Sequence, residues 1–108
     1  MEKYKIMRML CMFDLPVETE EQRRAYRIFR KALIQEGFVM IQYSIYVRVC
    51  PSREYANRLE NRIKKGIPRE GNVRLLCVTE KQYADMKLLV GSRQTSETAI
   101  GTERLIII

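Results

Sequence analysis

Phe38-Val39-Met40-Ile41-Gln42-Tyr43-Ser44-Ile45-Tyr46-Val47-Arg48-Val49 is an uninterrupted β-prone run of twelve residues. Its alternation places Val39, Ile41, Tyr43, Ile45, Val47 and Val49 on one face. Phe38, Met40, Gln42, Ser44, Tyr46 and Arg48 fall on the other. Twelve residues is long for one strand. A kink near Gln42-Tyr43-Ser44 divides the run into two, although neither Gly nor Pro marks a turn there. Whether the run holds one strand or two decides the fold, because the elements around it alternate.

Upstream, Thr19-Glu20-Glu21-Gln22 fits a capping box, and acids in a first helical turn complement the macrodipole. The helix that follows carries Ala25, Ile28, Phe29, Ala32 and Leu33 on one side. Arg23, Arg27, Arg30 and Lys31 lie opposite, and Gly37 is a ready C′ residue. Before that helix, Lys5 to Phe13 reads as a central strand, nearly continuous in apolarity, and Pro16 breaks the chain.

Downstream, Pro51-Ser52 opens a second helix with Ser52 as N-cap and Tyr55, Ala56, Leu59 and Ile63 as its apolar stripe. Gly66 and Pro68 stop it. A strand follows over Asn72–Val78, then a short helix over Thr79–Met86 and a short strand over Lys87–Val90. Residues 91–104 are polar, and Leu105-Ile106-Ile107-Ile108 is a β-prone end. The order β-α-β-β-α-β with an extra C-terminal strand is an α+β, ferredoxin-like plan. Residues 1–92 make the domain, and 93–108 a tail whose strand is available to a partner sheet.

The chain of 108 residues is one domain. No apolar run approaches the roughly 20 residues of a membrane span, and the N-terminus lacks a signal peptide's apolar core. A cytoplasmic protein without a membrane role is expected. Cys11, Cys50 and Cys77 are odd in number, widely spaced and free of metal-ligand spacing, so they read as reduced core residues. There is no histidine, which excludes Ser-His, Cys-His and His-base catalysis.

Any hydrolysis must then rest on a carboxylate and a metal. Asp14, one of two aspartates, follows the first strand directly and is the leading candidate for both metal binding and catalysis. It has a second reading: a carboxylate at a strand-to-helix turn accepts hydrogen bonds from the backbone amides that follow. One carboxylate does not make a catalytic Mg²⁺ site, and a two-fold dimer would supply a second copy of it.

The net charge is +7, with a surplus of +4 in residues 41–70, which points to a polyanion such as nucleic acid. Arg58, Arg62 and Lys65 share a flank of the second helix, Arg69 follows, and the first helix adds Arg23, Arg27, Arg30 and Lys31. Phosphate contact is their functional reading, and solvated helix faces are the alternative. Tyr43, Tyr46, Tyr55 and Tyr83 could stack on bases, although such positions more often pack in cores.

Phe13-Asp14 at a strand end, the Arg-rich helix closed by Gly37, Gln42-Tyr43-Ser44-Ile45-Tyr46, the second helix and the strand Val73–Val78 come in a familiar order and length. Over residues 1 to about 92 the chain resembles the small CRISPR-associated protein two family, the adaptation partner of the CRISPR integrase. The resemblance implies a ferredoxin-like homodimer whose C-terminal strand extends the partner's sheet, with the metal-binding aspartate at Asp14. It implies a Mg²⁺-dependent endonuclease on single-stranded RNA or double-stranded DNA, and a scaffold for the integrase in spacer capture. The alternative is a non-catalytic ferredoxin-like nucleic-acid-binding module in which Asp14 is structural.

Overall fold

Met7, Met9, Cys11 and Phe13 alternate into the core, while Arg8, Leu10, Met12 and Asp14 take the opposite face of the same strand. That strand, β1 (Met7–Asp14), lies at the centre of the computed structural model, which describes residues 5–92. After it come α1 (Glu20–Gln35), β2 (Val39–Gln42), β3 (Ile45–Cys50), α2 (Arg53–Lys64), β4 (Asn72–Thr79) and α3 (Glu80–Ala84). The sheet is antiparallel in the order β2-β3-β1-β4, the ferredoxin-like arrangement. The expected extra strand at Leu105–Ile108 lies outside the described residues.

The long β-prone run does divide. Gln42 pairs with Ile45, so Tyr43 and Ser44 form the reversal of a hairpin. Ser44 takes a positive φ of 64°, the conformation a glycine would ordinarily supply. A register shift between Met40 and Gln42 bulges Ile41 and keeps Val39 opposite Val47.

The two long helices, α1 and α2, cover one side of the sheet. Thr19 caps α1 through a complete capping box with Gln22, and Ser52 caps α2 by accepting from the Tyr55 N–H. Gly37 ends α1 with a φ of 94°, and the Arg48 side chain crosses where a Cβ would stand. Phe29 and Leu33 from α1 and Ala56, Leu59 and Ile63 from α2 meet the inward residues of β1. Phe13 is their pivot: it stacks on Tyr46 at 5.6 Å and meets the edge of Phe29 at 5.3 Å. The stripe expected on α1 is narrower than its sequence suggests. Ile28 is 56% exposed, because the row through Phe29 and Leu33 already fills the sheet's surface.

The other side of the sheet carries Leu10, Met12, Ile45, Val47, Leu76 and Val78, and only α3 lies over part of it. Tyr83 of α3 is buried there against Val47. Arg8, the one fully buried charged side chain among the described residues, forms a bidentate pair with Glu80 at 2.8 Å for both bonds. Its guanidinium sits 4.5 Å from the centre of the Tyr83 ring. Arg8 was legible only as the single charge in an apolar run; its partner was not.

One expectation is corrected. Lys87–Val90 is not a strand: α3, held on the open side of the sheet by Glu80 and Tyr83, follows β4 directly, and the segment that leaves it does not return to the free edge of β4. Leu89 and Val90 are 89% and 90% exposed.

The ion pair yields a stability prediction. Glu80→Ala strands the buried guanidinium and should cost about 3 kcal/mol in urea unfolding, the lower end for a broken buried pair because Glu80 is itself partly exposed. The double variant Arg8→Met/Glu80→Leu should recover most of that loss.

Candidate metal and nucleic-acid site

Two turns fix the end of β1. The Phe13 N–H donates to the Ser44 carbonyl at 3.1 Å, which holds the β2–β3 turn beside the strand end. On the other edge Asp14 pairs with Asn72. Gly71 approaches so closely that a Cβ there would stand 2.6 Å from the Asp14 carbonyl oxygen and 2.8 Å from Leu15 Cδ2. Its φ of 93° further restricts the position to glycine.

Asp14 is exposed at this clamped end. Alternation puts it on the open side of the sheet, the side of Leu10 and Met12. Its carboxylate has neither a hydrogen bond nor an ion pair among the described residues. The capping work that a structural aspartate would do falls instead to the Thr19 hydroxyl, which accepts from the Gln22 N–H at 3.0 Å. Among the described residues no three His, Cys, Asp or Glu side chains gather as a metal site. One chain therefore offers a rigidly held, unpartnered single carboxylate, which fits half of a hard-cation site.

The basic residues separate into two groups. Arg23 donates to the Val17 and Glu18 carbonyls at 3.1 Å and pairs with Glu20, which Arg27 also reaches at 3.4 Å. Arg30 donates to the Tyr46 hydroxyl at 2.9 Å. Arg62 grips the Glu36 carboxylate, and that carboxylate raises its pKa. These four brace the two helices. Lys31, Arg58, Lys65 and Arg69 are exposed and form no ion pair among the described residues. Arg58 only overlies the Tyr55 ring at 5.7 Å, which it shares with Arg48 and Arg62.

Of the four tyrosines named from sequence, Tyr46 and Tyr83 are core, Tyr55 is half-buried among arginines, and Tyr43 is 80% exposed at the hairpin turn. The three thiols are free. Burial pushes Cys11 up to about 12 and Cys50 up to about 11, so neither serves as a nucleophile at neutral pH.

On the helix side of the same strand end lies a cleft of about 530 Å³, bounded by Leu15 and Pro16, the start of α1 and the Pro68–Glu70 loop. The sequence had no signal for it, since its walls come from three separate segments.

The family model for CRISPR-associated protein Cas2 matches residues 7–86, which includes the whole sheet and Asp14. The chain belongs to the Cas2 family. A relative from Ligilactobacillus salivarius, named CRISPR-associated endoribonuclease Cas2, is 52% identical over 94% of this chain and all of its own length. A protein of the same name from Lacticaseibacillus rhamnosus is 53% identical over 82% of this chain and 87% of its own. One from Acidovorax ebreus is 44% identical over 94% and 99%. A solved structure described as the crystal structure of cas2 matches with a TM-score of 0.57. It covers 84% of this chain and 92% of its own at 20% identity, a likeness of fold. The fold and family read from the residues therefore stand. Among the described residues no helix is long and apolar enough to cross a membrane.

Gly71 tests how far Asp14 depends on its clamp. Gly71→Ala should cost about 2 kcal/mol, through the positive φ and the contact with the Asp14 carbonyl. Thermal unfolding measures the cost, and amide shifts confined to residues near Asp14 would locate it.

Proposed function

We propose that this protein is a homodimeric nucleic-acid-binding scaffold of CRISPR adaptation. It docks the CRISPR integrase in the cytoplasm and has Mg²⁺-dependent phosphodiesterase activity centred on Asp14. The observation that carries this reading is the position of Asp14: exposed, unpartnered among the described residues, and on the open apolar side of the sheet. A second copy laid against that side would bury Leu10, Met12 and Leu76 and bring the two Asp14 carboxylates to one interface. The exposed Leu88-Leu89-Val90 segment is the described part of the chain best suited to pair with a partner's sheet edge, in place of the internal strand first expected there.

Two Asp14 carboxylates would hold one cation. Mg²⁺, when bound, polarises a phosphate oxygen and acidifies a coordinated water. The chain's own contribution is placement: Ser44 and Gly71 hold the strand end, and Lys31, Arg58, Lys65 and Arg69 carry free charge for phosphates of duplex DNA or single-stranded RNA. Arg23, Arg27, Arg30 and Arg62 already have partners and contribute through the field of the surface. A second reading, binding without cleavage, is favoured by the supply of free cations against one carboxylate per chain.

Asp14→Asn separates the two. Cleavage of single-stranded RNA and duplex DNA in Mg²⁺ should fall by more than about 100-fold, beyond the upper end for loss of an outer-shell metal partner. The dimer mass by sedimentation and the DNA affinity should not change. Cleavage at full rate in this variant would leave the binding reading standing alone.

The free cations are tested by salt. Arg58→Ala/Lys65→Ala should make the slope of log K against log salt shallower by about 1.8 for duplex DNA, the value for two lost phosphate contacts. An unchanged slope would put the phosphates on another surface.

A further inference from the structure

The cleft behind Asp14 has a composition that the proposed cation site does not use. Its floor is apolar and partly aromatic, formed by Pro16, Ala25 and Tyr26. Its rim carries Glu21 and Glu70 with Arg69, and the Gln22 amide donates to Glu70 Oε1 at 3.4 Å. Arg69 has no ion pair among the described residues. The Tyr26 phenol is raised in pKa, first by burial and then by a hydrogen bond with Tyr43. Tyr43 is 80% exposed at the turn that also receives the Phe13 N–H. An aromatic surface thus continues from inside the cleft to its outside, at the end of the sheet where Asp14 lies.

A flat ring matches this shape, and a volume of about 530 Å³ has room for a nucleobase and its sugar. The polar rim says which base. Its carboxylates accept hydrogen bonds and donate none, so they suit a base edge rich in N–H groups. Guanine presents N1–H and N2–H₂ side by side on its Watson–Crick edge, whereas uracil presents a single N–H between two carbonyls. Arg69, the one cation on the rim, is placed for the phosphate attached to that base.

We infer that this cleft is a nucleobase pocket selective for an unpaired guanine. The inference rests on the nucleic-acid reading above, but not on cleavage. A pocket of this kind would make the protein prefer single-stranded or frayed guanine-containing sites, since a paired base cannot leave its stack without cost.

The test uses the full chain and the four ribonucleoside monophosphates, followed by NMR without Mg²⁺. GMP should shift the resonances of Leu15, Ala25 and Tyr26 and bind about ten-fold tighter than UMP. Ala25→Phe, which fills the cleft, should abolish these shifts while leaving affinity for duplex DNA unchanged. Glu70→Gln should cut the preference for GMP over UMP several-fold without unfolding the chain, as judged by an unchanged amide spectrum elsewhere.

Equal binding of all four nucleotides, shifts confined to exposed arginines and lysines, or residues 93–108 found seated in the cleft would each overturn the inference. Because no step of this test involves metal or cleavage, loss of activity in Asp14→Asn neither supports nor harms it. Failure of the protein to bind any nucleic acid would instead remove the function on which it rests.

Discussion

Strict alternation along β1 is the constraint from which the molecule follows. Met7, Met9, Cys11 and Phe13 enter the layer under the helices, and Arg8, Leu10, Met12 and Asp14 take the other side. A slip of one residue would exchange these sets and bury Asp14 under α1. Pairing on both edges forbids that slip, because β3 and β4 hold β1 in register over nearly all of its length. The stack of Phe13 on Tyr46 locks the end of the strand where this matters. The position of the carboxylate is therefore a property of the core, not of a flexible loop.

Charge is used in two ways on this surface. Where a guanidinium is paired with Glu20 or Glu36, it braces the start of α1 or ties α2 to the end of α1. Exposed pairs of this type add little stability singly, and they reduce the charge available to a polyanion. Unpaired cations remain on α1, on α2 and in the loop that follows. Net charge alone overstates the surface proposed for nucleic acid, and the pairing pattern narrows it to fewer side chains.

Much of the architecture was legible from local rules. The capping residues Thr19 and Ser52, the stop at Gly37 and the alternation of the long β-prone run all act over a few residues. The hairpin was legible only as a kink, because Ser44 takes a conformation that its side chain does not advertise. The short strand at Lys87–Val90 failed for another reason. Propensity favours a strand there, but a strand needs a partner within reach, and α3 carries the chain onto the open side of the sheet instead of back along the free edge of β4. Asp14 was legible as a candidate by exclusion, since a chain without histidine has few other means of hydrolysis. The clamp by Gly71, the partner of Arg8 and the cleft behind the strand end all join residues distant in sequence, and no spacing rule brings them together.

The burial of Arg8 bears on how the open side of the sheet can be covered. An apolar sheet surface left bare would accept almost any other such surface, with aggregation as the usual result. Here a five-residue helix rests on it, held by Tyr83 and by the Glu80 carboxylate on a guanidinium whose Nη1 has no hydrogen-bond partner. A sheet stacking flat across the whole surface would have to push α3 aside and leave a cation unpaired in an apolar layer. Only an approach that spares α3 escapes that penalty, so the single chain already discriminates among orientations before any partner arrives.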